Sequence, residues 1–567
     1  MKKPLLAAAL AIALATTTSG CAAMMKFMGD MTAAAITQKT ANLSELSVRA
    51  SYVTNLFPKD SGLVEAVDSG DTWQEGQNLL GVVLLKRQGV GMYELDGAIG
   101  YQDKPNGPIV PIPYVGKGAY QIALNGKDFA PKTIILRTAG GQEARLRVAP
   151  AKPITLKAIN GKPAKGATLD LNKDVVLDLA NPPGTAGTPI KVSIAIQAMG
   201  IHTMSAVGIF KAADRVTVPK EAFRNMLVSA SHDVGAVGIL KGANYLLVER
   251  YEQGLPAAGV GAAETLGQAW TWAPVTVTGD APMNSSLQAD GKLPGSTSEV
   301  GFMVFKPNAF YGPPLPMAKT VALGTLRARG KLYESKTYES KSYGYQTVTT
   351  TTTTITKQFP EVPDGHWNAL LKDLETRLTA SLKRVTNTAL LPAERLAGSP
   401  TYKAMKEIAE QRDTRAGATS YIVKIRPGSR HVLPESLDTI DVSSTFPADR
   451  PISRIMRESK TDGLLSVTLD LQIATAKDSE KLVLIPRLSW VMYAEPNGYL
   501  AFPASYGQGF VEATDGVPFN AEALQKNPAE MSRVARLPEL VNAFEASLKA
   551  LRAKEQAAGY DAIWRGR

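Results

Sequence analysis

The chain contains very little cysteine and histidine. Among its 567 residues Cys21 is the single cysteine, and the histidines are His202, His232, His366 and His431. One cysteine cannot form a disulfide within the chain, and it cannot build a zinc site that needs several thiolates. The histidines lie far apart, and no two have the spacing of a pair on one helix or strand. The sequence therefore predicts no metal site.

The signature motifs of common enzyme classes are also missing. The sequence contains no Gly-x-Ser-x-Gly elbow, no His-Glu-x-x-His pair and no Gly-x-x-x-x-Gly-Lys phosphate loop. We therefore expect no catalytic residues, no cofactor and no enzymatic activity. A hydrolase whose site gathers scattered carboxylates is the alternative, because almost any β-rich protein carries Asp and Glu in its loops.

Long apolar runs are absent beyond the N-terminal segment. That segment begins with Lys2 and Lys3, continues through the apolar run 5–15 and ends in small residues before Cys21. Positive residues, a short apolar run and small residues in this order are typical of a signal peptide, which is removed and excluded from fold reasoning. No later run reaches the roughly 20 apolar residues that a membrane-spanning helix needs. We assign residues 1–20 to the signal peptide.

The segment Ser19-Gly20-Cys21 resembles the lipobox of bacterial lipoproteins, in which the cysteine is lipidated and becomes the first mature residue. The resemblance implies lipidation of Cys21 and, because Ala22 follows it, sorting to the outer membrane. We expect the body of the protein to face the periplasm rather than the cell surface. The alternative is an ordinary signal peptide that leaves Cys21 as a free thiol.

Positive charge exceeds negative charge. The 63 Lys and Arg against 52 Asp and Glu give a formal charge of +11, and loss of Lys2 and Lys3 leaves +9 (11 − 2). A cation outside the cytoplasm is expected to meet peptidoglycan or anionic polysaccharide, and secretion makes nucleic acid a poor partner. The alternative is that the basic balance serves solubility alone.

The distribution of residue types predicts a multidomain α+β protein. We divide the mature chain into a lipidated tether (21–45), a β-sandwich region of immunoglobulin-like type (46–252), Gly/Pro-rich loops around a strand pair (253–318) and an α/β domain (319–567). Short β-rich runs separated by Gly, Asn and Pro turns support the second segment. Amphipathic helices alternating with strands, closed by a terminal helix, support the last.

One predicted helix carries a regular series of cations. Arg450, Arg454 and Arg457 are spaced at i, i+4 and i+7, and Lys460 follows one turn later. If the whole stretch is helical, these residues form one basic face that could bind an anion. The alternative is a solvated face that serves solubility. Similarly, Trp270, Trp272 and Trp490 could stack on a sugar, although large aromatic residues are more often part of a core.

The stretch from Tyr333 to Phe359 combines a near-repeated pentad, Tyr-Glu-Ser-Lys-Thr and Tyr-Glu-Ser-Lys-Ser, with six consecutive threonines (349–354). Threonine favours extended structure. We predict a polar β-hairpin that turns near Gly344 and serves as an interaction or oligomerisation edge. A plain exposed strand is the alternative.

The C-terminal part also resembles a group of envelope α/β lipoprotein domains. The residues that carry the resemblance are Pro392, the Glu394-Arg395-Leu396 triplet and the Thr461-Asp462-Gly463 triplet before a long strand. The group includes the curli-secretion channel lipoproteins, the lipoprotein activators of penicillin-binding proteins and the amino-terminal domain of the Tol-Pal translocation protein. It implies assembly, secretion or regulation at the envelope and transfers no catalytic residues.

These observations lead to one functional expectation and two alternatives. We expect a non-enzymatic outer-membrane lipoprotein that acts as a scaffold or accessory factor in envelope assembly or export, with envelope proteins as partners. The alternatives are a peptidoglycan- or polysaccharide-binding regulator and an oligomeric secretion-channel component, for which a homo-oligomer is expected.

Overall fold

The structure is a computed structural model that describes most of the chain. The described residues are 37–56, 76–87, 91–116, 118–198, 201–226, 243–254, 259–280, 286–293, 299–309, 311–343, 348–408, 419–437, 450–476, 481–495 and 504–564. The predicted signal peptide and Cys21 lie outside this part. Among the described helices, none has the length and apolar character required to cross a membrane.

The chain folds as two compact units. Of the described residues, those up to 280 and those from 559 to 564 belong to the first unit, and those from 286 to 558 belong to the second. Both units are rich in β-sheet, and most helical residues lie in the second. In this coarse form the predicted combination of an early strand-rich part and a later part with helices is confirmed.

The elements of the first unit are mostly short strands. Its helices are α1 (Lys220–Arg224), α8 (Tyr560–Ile563) and a 3-10 turn (Leu43–Glu45). Its strands are β1 (Thr37–Thr40), β2 (Leu46–Thr54), β3 (Asn78–Lys86), β4 (Met92–Leu95), β5 (Gly97–Gln102), β6 (Val110–Pro111), β7 (Tyr114–Gly116), β8 (Ala119–Leu124), β9 (Lys132–Thr138), β10 (Glu143–Val148), β11 (Thr155–Ile159), β12 (Lys162–Pro163), β13 (Ala167–Asp170), β14 (Val175–Ala180), β15 (Pro189–Ala198), β16 (Ile201–Lys211), β17 (Arg215–Val218), β18 (Ala243–Gln253) and β19 (Ala262–Thr278).

Three sheets form the first unit. Sheet I has the order β1-β4-β3-β2-β19-β18-β15-β16, with β8 beside β3 and β13 beside β19; sheet II has the order β10-β9-β5-β6 and sheet III the order β12-β11-β14-β17. Alternate residues of β2, β3 and β9, such as Val48, Val82 and Ile134, are fully buried in a core that sheets I and II share. The period of two therefore places one face of each sheet in this core.

Part of the predicted tether is folded. The segment 37–45 contributes β1, which pairs in parallel with β4, and the 3-10 turn that buries Leu43 in the core of sheets I and II. Asn42 caps this turn by accepting a hydrogen bond from the backbone N–H of Ser44 at 3.1 Å. The prediction of a tether as far as residue 45 is therefore wrong at its C-terminal end, because an apolar side chain and a cap fix the chain there.

The second unit contains longer elements. Its strands are β20 (Leu287–Lys292), β21 (Val300–Lys306), β22 (Thr320–Tyr343), β23 (Val348–Gln358), β24 (Ala389–Leu391), β25 (Thr419–Ile425), β26 (Gly463–Thr475), β27 (Leu482–Ala494), β28 (Ala504–Ala513) and β29 (Val517–Pro518). Its helices are α2 (Asp364–Thr386), α3 (Pro400–Ala404), α4 (Pro451–Ser459), α5 (Ala521–Lys526), α6 (Pro528–Val534) and α7 (Leu537–Ala557), with 3-10 turns at Leu315–Met317 and Ala393–Gly398.

One sheet, sheet IV, organises the second unit. Its order is β20-β21-β28-β27-β26-β22-β23, with β24 and β25 paired to β22 and β29 paired to β27. Odd-numbered residues of β26 from Leu465 to Ile473 join a core with the apolar stripes of α2 and α7. Even-numbered residues face the other side, where Leu464 packs with α3 and α4. The alternation along β26 thus gives the sheet two differently covered faces.

The predicted boundary between the two parts is displaced. The segment 253–318 was expected to consist of loops around one strand pair, but β19 completes sheet I while β20 and β21 form the end of sheet IV. Gly267 shows why composition misleads here, because a Cβ at this position would collide with the carbonyl of Ala149. The glycine in β19 allows close packing and does not mark a loop.

The Thr-rich stretch is extended, as predicted. Strand β22 pairs antiparallel with β23 from Tyr333↔Gln358 to Tyr343↔Val348 without a register shift. Strand β26 accompanies β22 only to Gly330, and β25 only to Glu334. From residue 335 onward, β23 is the sole described partner of β22. We call the paired segments 335–343 and 348–356 the ribbon; the predicted turn at Gly344 lies outside the described residues.

Candidate functional site

The face of sheet IV that carries α3 and α4 has polar residues toward one end. In β22, Thr325, Arg327 and Arg329 alternate with apolar residues that enter the opposite core. In β26, Thr468 and Asp470 also alternate with apolar residues, and they pair in register with Arg327 and Arg329 of β22. The loop 426–437 covers this end. The side-chain alternation therefore collects charged and hydroxyl groups beneath one loop.

Arg327 is the centre of this buried group. It is 2% exposed; its Nη2 donates to Oε2 of Glu435 at 2.8 Å, and its Nε donates to Oγ1 of Thr468 at 2.9 Å. Its Nη1 lies 3.3 Å from Nδ1 of His431. Because a guanidinium can only donate, Nδ1 accepts, and the proton of a neutral His431 ring lies on Nε2. Arg327 thus joins the covering loop to the sheet.

Two ionisable partners of Arg327 have shifted pKa values. Burial, reinforced by the charge of Arg327, lowers the pKa of His431 to about 4. Burial alone would raise the pKa of Glu435, but the neighbouring Arg327 outweighs this effect and lowers it. At neutral pH His431 is therefore uncharged and Glu435 is ionised, so the charge of Arg327 is matched by that of Glu435.

The loop also depends on a close approach to the sheet. A Cβ at position 324 would collide with the side chain of Leu433, so the glycine found there allows the loop to pack directly on β22. Arg430 donates to the carbonyls of Tyr402 at 2.6 Å and Met405 at 2.8 Å, at the end of α3. These contacts hold the loop against the sheet as a structural cover.

Helix α4 begins at a proline. Pro451 occupies the first helical position, and Arg450 is the N-cap with φ −62° and ψ 140°. Proline suits this position because its missing N–H would have no intrahelical acceptor. Ile452, Ile455 and Met456 are buried against sheet IV, as the apolar spacing of the sequence predicts.

The four predicted cations do not share one face. Arg454, Arg457 and Lys460 are exposed along α4. Arg450 is 5% exposed, so it leaves this series. The i, i+4, i+7 spacing requires Arg450 to be helical, but the residue before a proline is biased away from helical dihedrals, and Arg450 lies outside the helix as its N-cap. The predicted four-residue face is therefore a three-residue face.

The exposed cations have acidic neighbours. Arg457 lies 3.9 Å from a carboxylate oxygen of Glu495, with both side chains about half exposed. Glu458 accepts hydrogen bonds from the backbone N–H of Thr401 at 3.1 Å and from its hydroxyl at 2.6 Å. Burial opposes ionisation of Glu458, but bonds from Ser399 and Thr401 outweigh it and lower its pKa. The face of α4 is thus weakly positive and solvated.

The buried end of α4 is different. Within the described part of the chain, Nε and Nη1 of Arg450 and Oγ of Ser453 are buried without a hydrogen-bond partner. Ser453 is 1% exposed and is the third residue of the helix. Burial lowers the pKa of the Arg450 guanidinium. Sequence reasoning missed this arrangement, although the Arg-Pro pair marked its position.

The other predicted site residues divide into three groups. Cys21 and His232 lie outside the described residues, and so does the side chain of His202. Trp490 is fully buried and packs edge-on against Phe544 with ring centroids 5.3 Å apart, so it belongs to the core. Trp272 is half-buried beside Tyr245 at 5.9 Å. In the described part of the chain, no cluster of His, Cys, Asp and Glu has the arrangement of a metal site.

The first unit has an open groove of about 490 Å³. Its lining includes Lys173, Asp174, Lys220 and Glu221. Asp174 accepts a hydrogen bond from the backbone N–H of Lys220 at 2.9 Å, which connects the start of α1 to the loop after β13. The polar lining therefore has a structural role.

Comparisons with known proteins identify no family. No protein-family model and no curated protein matches the chain. A structure of a Salmonella alpha-2-macroglobulin mutant is 9% identical in sequence, with a TM-score of 0.15. The alignment covers 85% of this chain and 27% of the macroglobulin chain. The chicken CNTN1 FN1–FN3 domains are 8% identical, with a TM-score of 0.11, and the alignment covers 49% of this chain and 83% of the CNTN1 chain. The chain spans about a quarter of the macroglobulin structure, and similarities at this level carry no argument.

Proposed function

We propose that the protein is an outer-membrane lipoprotein that acts as a scaffold or accessory factor in envelope assembly or export, without enzymatic activity. In this proposal Cys21 carries the lipid anchor and the body faces the periplasm. The first unit would be an immunoglobulin-like β-sandwich, which the shared core of sheets I and II supports. The second would be an α/β domain, which the helices on both faces of sheet IV support.

The ribbon is the observation that carries this proposal. Its paired segments 335–343 and 348–356 continue past the last described pairings of β22 with β25 and β26. Nine residues of strand extend for about 30 Å at 3.3 Å per residue. A strand pair of this kind presents backbone N–H and C=O groups at its edges, which can pair with a strand of another chain. Such an edge suits a protein whose role is to hold others.

Anchoring is tested with Cys21→Ser. We expect the variant to lose its association with outer membranes and to appear in the soluble envelope fraction. The reason is that several acyl chains anchor a lipoprotein stably, and the variant would carry no acyl chain. Fractionation with immunoblotting measures this. A variant that stays wholly in the outer membrane would show that the anchoring part of the proposal is wrong.

The scaffold role is tested by replacing the ribbon with a short Gly-Ser turn. Sheet IV keeps its pairings of β22 with β25 and β26, so we expect the free energy of unfolding to change by less than about 1 kcal/mol. Assembly mass, measured by light scattering after chromatography and by cross-linking in envelopes, should fall. An unchanged mass and cross-linking pattern in a folded variant would refute the role of the ribbon.

A second candidate is a peptidoglycan- or polysaccharide-binding regulator. Exposure of Arg454, Arg457 and Lys460 along α4 favours it, because neighbouring cations attract anionic polymers in a salt-dependent manner. Retention on purified sacculi should fall severalfold in the double variant Arg454→Glu and Arg457→Glu.

The matched control for this candidate makes the same charge change elsewhere. Arg395 and Lys403 are exposed in the same unit, so the double variant Arg395→Glu and Lys403→Glu tests net charge alone. Equal retention of both double variants would assign any binding to general electrostatics and reject the α4 face as its site.

A further inference from the structure

The first turn of α4 contains two residues with buried, unsatisfied hydrogen-bond donors, Arg450 and Ser453. Arg450, the N-cap, is 5% exposed, and its Nε and Nη1 have no partner in the described part of the chain. An ionised group that is removed from water without a partner costs several kcal/mol. Arginine does not avoid this cost by losing its proton, because its pKa is too high. A buried unmatched guanidinium therefore points to a missing anion.

The helix itself adds backbone donors in the same turn. Pro451 has no N–H, and the N–H groups of Ile452 and Ser453 lie in the first turn, where no intrahelical acceptor exists. The hydroxyl of Ser453 is also buried without a partner in the described residues. The N-terminal end of a nine-residue helix carries a partial positive charge that favours an anion. The guanidinium, the hydroxyl and the N-terminal end of the helix thus all favour an anionic ligand.

We propose that the first turn of α4 binds a phosphate-class oxyanion, held by the Arg450 guanidinium, the Ser453 hydroxyl and the backbone N–H groups. Two guanidinium donors, one hydroxyl and two N–H groups exceed what the two oxygens of one carboxylate accept comfortably. A tetrahedral oxyanion offers four oxygens and matches the planar fork of arginine. The site is separate from the exposed face of Arg454, Arg457 and Lys460, and it does not depend on the scaffold proposal.

The nearly complete burial of Arg450 restricts the ligand. Only a compact ion or a terminal phosphate group could reach a side chain that is 5% exposed. The source is either a soluble phosphate ion or a phosphomonoester at the end of a lipid headgroup, and the chemistry of recognition is the same. The two sources differ in whether a membrane surface must be present.

The test uses the full-length protein in nonionic detergent. Isothermal titration with inorganic phosphate is compared with chloride at equal ionic strength, and thermal unfolding is recorded in parallel. We expect phosphate to bind with a defined stoichiometry of one and to raise Tm by about 3 °C at tenfold excess over Kd. Vesicles with and without phosphatidic acid, in a nonionic lipid background, separate the headgroup source from the soluble ion.

Three variants locate the site. Arg450→Met should weaken binding at least tenfold, whereas Arg454→Met, which removes an exposed cation from the same helix, should keep the wild-type Kd within twofold. Ser453→Ala removes one hydroxyl donor and should weaken binding severalfold while the fold is preserved. It therefore keeps the test decisive if Arg450→Met fails to fold.

Each outcome has one meaning. The proposal is supported if the response to phosphate or to phosphatidic acid is lost in Arg450→Met, weakened in Ser453→Ala and unchanged in Arg454→Met. The probe that gives the response identifies the source of the ligand. A response to neither probe overturns it. A response that persists equally in Arg450→Met and Ser453→Ala also overturns it, because binding would then lie elsewhere.

Discussion

Two of the buried cations of the second unit, Lys306 and Arg450, differ in their partners. Lys306, at the end of β21, is completely buried and lies 2.9 Å from Oε1 of Glu555, which is equally buried. Its Nζ also donates to the carbonyls of Pro313 at 2.5 Å and Tyr506 at 2.7 Å. Arg450 is almost as deeply buried, but its Nε and Nη1 find no partner in the described residues.

The difference separates a structural charge from a binding charge. Glu555 also accepts from the backbone N–H of Leu315 at 3.1 Å and from Arg552 at 2.9 Å, so both members of the buried pair have several hydrogen-bond partners. This arrangement joins the end of α7 to the strand β21 and leaves nothing to bind. An incompletely satisfied cation such as Arg450 retains its binding capacity for a ligand. Burial of a charged side chain alone thus does not indicate a binding function. Whether that side chain has hydrogen-bond and ionic partners within the protein does.

The largest effect is expected from Lys306→Met. It removes one of the two cations that contact the buried carboxylate of Glu555 and leaves Arg552, at 2.9 Å, as the other. We expect this loss to lower the free energy of unfolding by about 3 kcal/mol. Urea denaturation followed by tryptophan fluorescence measures it, because Trp490 lies in the same core. The double variant Lys306→Met and Glu555→Gln should recover at least half of the loss. A single variant within 1 kcal/mol of the wild type would mean that the pair is not needed.

An intermediate effect is expected from His431, which shares Arg327 with Glu435. Its lowered folded pKa of about 4 lies below the usual value of about 6.5, so the unfolded chain binds the proton first. Stability is therefore full above pH 6.5 and falls as the pH drops toward 4, by about 2 kcal/mol between pH 7 and pH 5. The charged groups that act on the ring are Arg327, Arg329, Glu435 and Glu407.

Denaturation midpoints between pH 5 and pH 7 measure this dependence. His431→Gln can still accept a hydrogen bond from Arg327 but cannot be protonated in this range, so its curve should be flatter. Carboxylates such as Glu435, whose pKa is lowered, contribute only at lower pH. A wild-type slope that survives in His431→Gln would assign the pH dependence to another group.

The sequence predicts the elements whose local pattern decides their structure. The leucines of α2 and the apolar stripe of α7 recur at helical spacing, and both helices bury those residues. Ser399 and Pro400 mark the start of α3 correctly, since Ser399 accepts a hydrogen bond from the N–H of Tyr402 at 3.0 Å. However, the sequence 399–413 predicts one longer helix, whereas α3 ends at Ala404. Local signals therefore fix starts better than ends.

Long-range contacts are what the sequence does not show. Arg327 meets His431 and Glu435 across more than 100 residues, and no spacing rule connects positions so far apart. The sequence predicts a strand for the second half of β19 and a loop for its Gly- and Ala-rich first residues, 262–267, yet pairing with β2 and β18 holds those residues extended too. Tertiary pairing overrides local propensity in such strands.

The smallest stability effect is expected from Arg450→Met, and it is the sharpest test of the comparison with Lys306. In phosphate-free buffer the variant should unfold within about 1 kcal/mol of the wild type, or above it, because removal of an unmatched buried charge relieves a desolvation cost. In buffer with phosphate, the free energy of unfolding of the wild type should exceed that of the variant. If Arg450→Met instead loses about 3 kcal/mol in phosphate-free buffer, Arg450 has a partner within the chain, as Lys306 does, and its charge is structural.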